Sequence, residues 1–117
     1  MSVSPETQSQ LKISAKAASD KLGENLVALD VSVPFALAEV FLICSAKNDR
    51  QVLAISDAVE ESLRAAGCKL RFAEGREAAR WVLLDFGDLV VHIMHESERE
   101  FYSLERLWRD CPVVPVA

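Results

Sequence analysis

Two aspartates in this sequence have a spacing that could support metal-dependent chemistry. Asp85 and Asp88 lie on either side of Gly87, and nucleotidyl-transfer sites hold their metal ions with paired carboxylates. Such a pair needs alternate positions on one strand, so that both side chains point to the same side. Here a glycine and a turn intervene. We therefore expect solvated turn carboxylates, although a two-metal site is the alternative.

The histidines and cysteines do not form a pattern that is typical of a metal site. His92 and His95 are three residues apart in a predicted strand, which places their side chains on opposite faces. Cys44, Cys68 and Cys111 are widely spaced and form no CxxC or Cys/His zinc motif. The chain also contains no GxGxxG and no P-loop lysine motif to hold nucleotide phosphates. We expect reduced thiols, no metal, no cofactor and no catalytic residue.

The bulk composition favours a protein partner over a nucleic acid. The 117 residues are 50% hydrophobic and 26% charged, with a formal net charge of -5. A negative chain is poorly suited to binding nucleic acid directly, but it can bind a basic protein. No apolar run approaches the roughly 20 residues that cross a bilayer, and the polar N-terminus does not resemble a secretory signal. We expect a cytoplasmic protein.

The hydrophobic pattern predicts an α/β fold in one domain spanning residues 1–117. It indicates, in chain order, a helix over 5–22 capped by Ser4, strands over 26–31 and 40–44, a helix capped by Asn48, an extended segment over 69–72, a hairpin with strands over 80–86 and 89–94, and a last helix opened by a capping box of Ser97 and Glu100. We expect a single mixed sheet of about five strands packed with helices. Residues 1–4 and the tail 112–117 should be loosely ordered.

The two faces of the predicted hairpin differ in character. One face is purely apolar and comprises Val82, Leu84, Phe86, Leu89, Val91 and Ile93. The opposite face is mixed and comprises Trp81, Leu83, Asp85, Asp88, Val90, His92 and Met94. An indole beside charged neighbours is typical of an interface, and uncompensated burial of a carboxylate is costly.

We therefore predict that a partner binds the mixed face. The predicted contact residues are Trp81, Asp85, Asp88, His92 and Met94, with Tyr102 near them on the last helix. The alternative is that Trp81 and Tyr102 simply pack under a helix.

Acidic residues are concentrated toward the C-terminal end of the sequence. Residues 85–110 contain seven Asp or Glu and three Arg, which is -4 of the total charge of -5. A solvated helix face would explain this composition. A surface that steers a cationic partner would explain it as well.

Two long stretches resemble the conserved blocks of the ribosome silencing factor (Iojap) family. The first is LDVSVPFALAEVFLICSAKNDRQVLAISDAVEESL, and the second contains WVLLDFGDLVVHI followed by FYSLERLW. The likeness covers the chain from about Leu11 to Pro112. Two residues depart from the family pattern. Glu39 precedes the second strand, where the family often has aspartate, and Ala46 lies in the following turn, where the family often has glycine.

The resemblance implies a fold similar to a nucleotidyltransferase core that lacks the catalytic carboxylates, and a protein that is not an enzyme. It implies binding to the large ribosomal subunit through its basic protein fourteen (uL14), a steric block to joining of the small subunit, and repression of translation when nutrients are short. It also suggests a homodimer when the protein is free. A nucleotide-handling enzyme and an unassigned protein-interaction domain are the alternatives.

Overall fold

The fold is a six-stranded mixed sheet with two long helices packed on one face. The computed structural model describes residues 3–33, 37–102, 106 and 108–116, with the backbone alone for residues 101 and 102. The elements in chain order are α1 (Pro5–Asp20), β1 (Glu24–Asp30), β2 (Val40–Ala46), α2 (Asp49–Ala65), β3 (Phe72–Glu74), β4 (Trp81–Asp85), β5 (Leu89–His95), α3 (Glu96–Tyr102) and β6 (Val113–Val114). The predicted mixed sheet packed with helices is confirmed. Among the described residues, no helix is long and apolar enough to cross a membrane.

The strand order in the sheet is β3-β4-β5-β2-β1-β6. The central pair, β2 and β5, is parallel, from Val40 opposite Leu89 to Ala46 opposite His95. The other pairings are antiparallel. Every residue of β2 is buried, as expected for a central strand covered on both faces.

The helix face, which we define as the sheet face covered by α1 and α2, contains the larger core. Alternate residues of each strand point into it, and Leu11 from α1 and Ile55 from α2 pack against them. The hairpin residues predicted to form a purely apolar core face all lie here: Val82, Leu84, Phe86, Leu89, Val91 and Ile93. That prediction is confirmed, because a tight turn fixes the alternation of both strands.

Two predicted helix caps are present in the structure. The Ser4 hydroxyl accepts from the Thr7 backbone N–H at 3.2 Å, and the Asn48 side chain accepts from the Gln51 backbone N–H at 2.8 Å. The Gln51 side-chain amide also donates to the Leu22 carbonyl at 2.9 Å. The end of α1 is therefore tied to the first turn of α2.

The start of the last helix differs from the prediction. α3 begins at Glu96, directly after β5, so Ser97 lies inside the helix and does not cap it. The Ser97 backbone N–H instead donates to Nδ1 of His95 at 3.1 Å. With no loop between β5 and α3, the last strand residue supplies the acceptor. The sequence also predicts that Phe101, Leu104, Leu107 and Trp108 form the buried stripe of this helix, and Leu104 and Leu107 lie outside the described residues.

Both ends of the chain contain ordered residues where we expected loose ones. Val113–Val114 form β6 against Ala28 and Leu29 of β1, and Val3 is buried. The tail is extended because its prolines forbid helix, and β1 offers backbone groups that need partners. The sixth strand arises in this way.

A tight turn between β3 and β4 determines where Trp81 begins its strand. Gly75 has a φ of +92°, and a Cβ added there would lie 2.0 Å from the Trp81 carbonyl oxygen. The Ala79 backbone N–H donates to the Gly75 carbonyl at 2.9 Å. Only glycine permits both the positive φ and this close approach of two backbone segments.

We predict that Gly75→Ala strongly destabilises the fold, because the new methyl group would overlap backbone that cannot move without shifting β4. Gly67 is the matched control, since it has a φ of +89° but nothing within 4 Å of an added Cβ. We expect Gly67→Ala to cost about 1 kcal/mol, and Gly75→Ala several times as much. Urea unfolding of both variants measures the difference, and equal losses would contradict the close approach.

Candidate protein-binding face

The sheet face opposite α1 and α2, which we call the second face, carries a smaller buried cluster. Its members are Leu29, Val31, Ala38, Phe41, Ile43, Val90 and Met94. Residues from the C-terminal segment pack on it: Trp108 meets Phe41 edge-on, with ring centroids 5.3 Å apart, and Cys111 also touches the cluster. This cover lies over β1 and β2.

The β3–β4 side of the second face presents apolar and acidic side chains to solvent. Phe72 pairs with Asp85, and Glu74 pairs with Leu83, so each pair shares a face. Trp81 lies on the same face two residues before Leu83. We call these five residues the open strip. Phe72 is 50% exposed, Glu74 is exposed, and the three β4 residues are half-buried.

The structure brings three of the predicted contact residues to or beside this strip. Trp81 and Asp85 belong to it, and Asp88 is exposed in the adjoining turn. The Asp85 carboxylate accepts from the Gly87 backbone N–H at 2.8 Å, so it stabilises the turn with one oxygen while the side chain stays half-exposed.

Two other predicted contact residues lie beneath the surface. Met94 has no exposed area and His92 is 5% exposed, so neither can touch a partner directly in this structure. They are buried because the aromatic side chains Phe41 and Trp81 lie beside them, a tertiary packing that strand alternation does not reveal. The side chain of Tyr102 lies outside the described residues.

Sequence reasoning missed Phe72 and Glu74 as members of this surface, and it left Leu83 out of the contact set. The segment containing Phe72 was expected to be extended, but nothing in its composition reveals its register against β4. Only Leu83 could have been added to the contact set from the sequence, because strand alternation places it on the mixed face.

Four carboxylates lie at one end of the sheet and form what we call the acidic rim. Asp30 ends β1, Glu39 precedes β2, Asp85 ends β4 and Asp88 precedes β5. The β1–β2, β2–β5 and β4–β5 pairings bring these four strand ends together. The rim borders the open strip through Asp85. The Glu39 carboxylate accepts from the Ser4 backbone N–H at 2.8 Å, and the Arg71 side chain lies beside Gly87. Asp85 and Asp88 are therefore the rim carboxylates next to the open strip, and the cationic Arg71 side chain lies near them.

The acidic residues near the C-terminus do not form one continuous surface. Asp85 and Asp88 are at the start of β5, whereas Glu96 and Glu98 follow its end, about 20 Å away at the usual rise of a strand. Glu98 is also paired with Arg80 at 3.4 Å. Among these described residues, the rim is the candidate for steering a cationic partner.

His92 is a buried neutral imidazole beneath the open strip. Its Nδ1 accepts from the Trp81 indole N–H at 3.2 Å, and the Phe41 ring meets it edge-on at a centroid distance of 4.9 Å. Its Nε2 has no hydrogen-bond partner within the part of the chain that the structure describes. Burial lowers the pKa of His92 from 6.5 to about 4, so the ring is uncharged at neutral pH.

A separate polar cleft lies at the opposite end of the sheet, beside the carboxyl ends of β2 and β5. Asn25, Ser45, His95 and Arg99 line it. The buried Arg99 guanidinium donates to the Asn25 carbonyl and to the Ser45 hydroxyl, which fixes α3 to β1 and β2. No group of three His, Cys, Asp or Glu among the described residues is arranged to hold a metal ion. Asp85 and Asp88 do not face this cleft.

We predict that the burial of His92 makes stability depend on pH. Between pH 6.5 and pH 4 the unfolded chain binds a proton at His92 that the folded chain excludes. The stability contribution should therefore be complete well above pH 6.5 and should be lost as the pH falls toward 4, by about 1.5 kcal/mol between pH 6.5 and pH 5. Urea unfolding of wild type and His92→Asn at both values tests this, and equal pH dependence of the two proteins would contradict it.

Comparison with known proteins identifies the family. The model of the family "Ribosomal silencing factor during starvation" matches residues 4–117. The ribosomal silencing factor RsfS of Bacillus subtilis is 43% identical over 106 residues, covering 91% of this chain and 90% of that protein. Among solved structures, a crystal structure of a protein from Chromobacterium violaceum has a TM-score of 0.84 at 35% identity, covering 86% of this chain and 84% of that one. A crystal structure of a Bacillus halodurans protein has a TM-score of 0.82 at 39% identity, covering 92% and 98%. The resemblance inferred from the two sequence blocks is therefore confirmed, and the chain belongs to the ribosomal silencing factor family.

Proposed function

We propose that this protein binds the large ribosomal subunit through protein uL14, keeps the small subunit from joining, and so represses translation when nutrients are limited. Family membership along nearly the whole chain supports the proposal. The observation that carries it is the open strip bordered by the acidic rim. This arrangement suits a basic protein surface.

The open strip combines two features of protein interfaces. Phe72, Trp81 and Leu83 supply apolar and aromatic area, and Glu74 and Asp85 supply charge beside it. Binding energy in interfaces is concentrated in a few aromatic residues, with less sensitive polar contacts around them. We infer that Trp81 is the anchor, with Asp85 and Asp88 beside it. The side chain of Tyr102 stays a proposed contact.

Further apolar residues could extend this contact area. A stable interface buries about 800 Å² on each partner, which is more than five side chains provide. Val33 and Leu37 are 88% and 78% exposed and lie on the connection from β1 to β2, at the rim end of the sheet. The proposed surface therefore runs from the open strip across the acidic rim to these two residues.

The proposed activity is steric and needs no reacting group. Asp85 is engaged by the turn backbone and lies at the end of the sheet opposite the polar cleft. Desolvation raises the pKa of Cys44 to about 12, so its buried thiol is a poor nucleophile. These features favour a binding protein over a nucleotidyltransferase. We infer a cytoplasmic location from the proposed ribosomal partner. The homodimer suggested for the free protein stays a prediction.

We predict that the purified protein pellets with isolated large ribosomal subunits and not with small ones, because its proposed contact is a large-subunit protein. Added protein should also lower the yield of joined ribosomes in a sucrose gradient. Pelleting with neither subunit, or with both equally, would rule out the proposed function.

We predict that Trp81→Ala weakens large-subunit binding by on the order of 2 kcal/mol, the loss expected for a central aromatic anchor. Leu22→Ala is the matched control, because Leu22 is a 74% exposed apolar side chain at the end of α1. Titration monitored by sedimentation gives the affinity, and thermal unfolding reports the fold. If Trp81→Ala mainly lowers the melting temperature and leaves the affinity of the folded protein unchanged, Trp81 is core and the anchor is misassigned.

We predict that binding weakens with added salt, because attraction between the acidic rim and a basic partner is screened over about 8 Å at physiological ionic strength. Asp88→Asn should lower affinity by about two- to fivefold at low salt and flatten the salt dependence. Asp57→Asn removes the same charge from the exposed surface of α2 and should do neither. Affinity that is constant from low to high salt would indicate an apolar interface.

A further inference from the structure

His92 is an unfavourable choice of side chain for the place it occupies. It is 5% exposed beside the apolar and aromatic groups of the second-face cluster, and its Nε2 has no hydrogen-bond partner among the described residues. A buried polar group without a partner lowers the stability of the fold. An aliphatic residue of similar size would avoid this cost, so packing alone does not explain a histidine.

The hydrogen bond from Trp81 supplies a reason for the histidine. An indole N–H can only donate, so Nδ1 of His92 must be the unprotonated nitrogen and Nε2 must carry the proton. The indole and imidazole planes are inclined at 47°, with centroids 6.1 Å apart. One ring nitrogen is therefore committed to Trp81, and the other is left unsatisfied as a result.

The position of this bond relative to the surface determines what it can do. His92 is directly opposite Leu83 in the β4–β5 register, and Leu83 lies two residues from Trp81 along β4. The two side chains therefore lie diagonally across β4 and β5 on the second face, where His92 is buried and Trp81 is half-buried. Phe41 packs edge-on against the same imidazole and restricts its rotation.

We propose that His92 is a positioning residue for partner binding, whose Nδ1 holds the Trp81 indole in the orientation that the partner surface recognises. The inference rests on the proposed function, because it assigns His92 a role in that same face. A side chain fixed before binding loses less conformational entropy in the complex. The affinity of the face then depends on a residue that the partner never touches.

The test compares His92→Leu, which removes the acceptor, with His92→Asn, whose side-chain oxygen can occupy the place of Nδ1. We expect His92→Leu to stay folded at the assay temperature while weakening large-subunit binding about three- to tenfold, the value of one neutral hydrogen bond. His92→Asn should recover part of that loss. Val91→Ala is the control for generic core damage, since Val91 is fully buried on the helix face of the same strand, and it should lower stability without changing the affinity of the folded protein.

A double-mutant cycle tests whether His92 acts through Trp81. In a Trp81→Phe background no indole N–H remains, so adding His92→Leu should weaken binding no further. If His92→Leu costs the same in both backgrounds, or if it lowers only stability, the positioning role is wrong.

Proton NMR of the free protein separates this inference from the proposed function. The chain has two tryptophans, so Trp81→Phe identifies the Trp81 indole N–H signal. In wild type this proton should exchange slowly with solvent, and His92→Leu should speed its exchange while the Trp108 signal stays unchanged. Failure of wild type to bind large subunits would overturn the proposed function and, with it, the binding role of His92. An unchanged Trp81 exchange rate in His92→Leu would overturn the positioning inference even if wild type binds.

Discussion

The parallel pairing of β2 with β5 is the constraint on which the rest of the structure depends. Two parallel strands cannot be joined by a short turn, so the chain between them must leave the sheet as α2 and return through β3 and β4. This crossover places α2 beside α1 on one face. It also fixes which strand ends meet, and that decides where charge collects: the acidic rim lies at one end of the pair and the polar cleft at the other.

The two faces of the sheet are closed by different means, and this difference produces the candidate binding surface. Two long helices cover the helix face and enclose the larger buried cluster. The second face is covered over β1 and β2 by the C-terminal segment, with Trp108 against Phe41, while Phe72 and the β4 side chains stay partly exposed. Exposed aromatic area next to carboxylates is stable in water because the charges remain solvated, yet it favours association with a complementary surface.

The parts of this arrangement that depend on residues close together in the sequence could be predicted from it. The Gly87-Asp88 turn fixes the alternation of side chains in both strands. Alternation therefore correctly distinguished the apolar face from the face that carries Trp81 and Asp85. The burial of His92 and Met94 could not be predicted, because it depends on aromatic groups brought from other strands and from the C-terminal segment. The register that places Phe72 beside Asp85 and the pairing of β6 with β1 are also long-range, and no local pattern specifies them.

His92 shows how a binding surface and a stable core compete for the same residue. The apolar cluster would favour an aliphatic side chain, because the unsatisfied Nε2 and the lowered pKa both mark an environment that disfavours a polar ring. The indole of Trp81 requires an acceptor, because a half-buried N–H without one is costly as well. The indole N–H therefore has its acceptor, and the polar atom of this pair without a partner among the described residues is Nε2 of the more deeply buried imidazole. Selection for stability alone would remove both polar groups together, so the pair is best explained by a need for an oriented tryptophan at the surface.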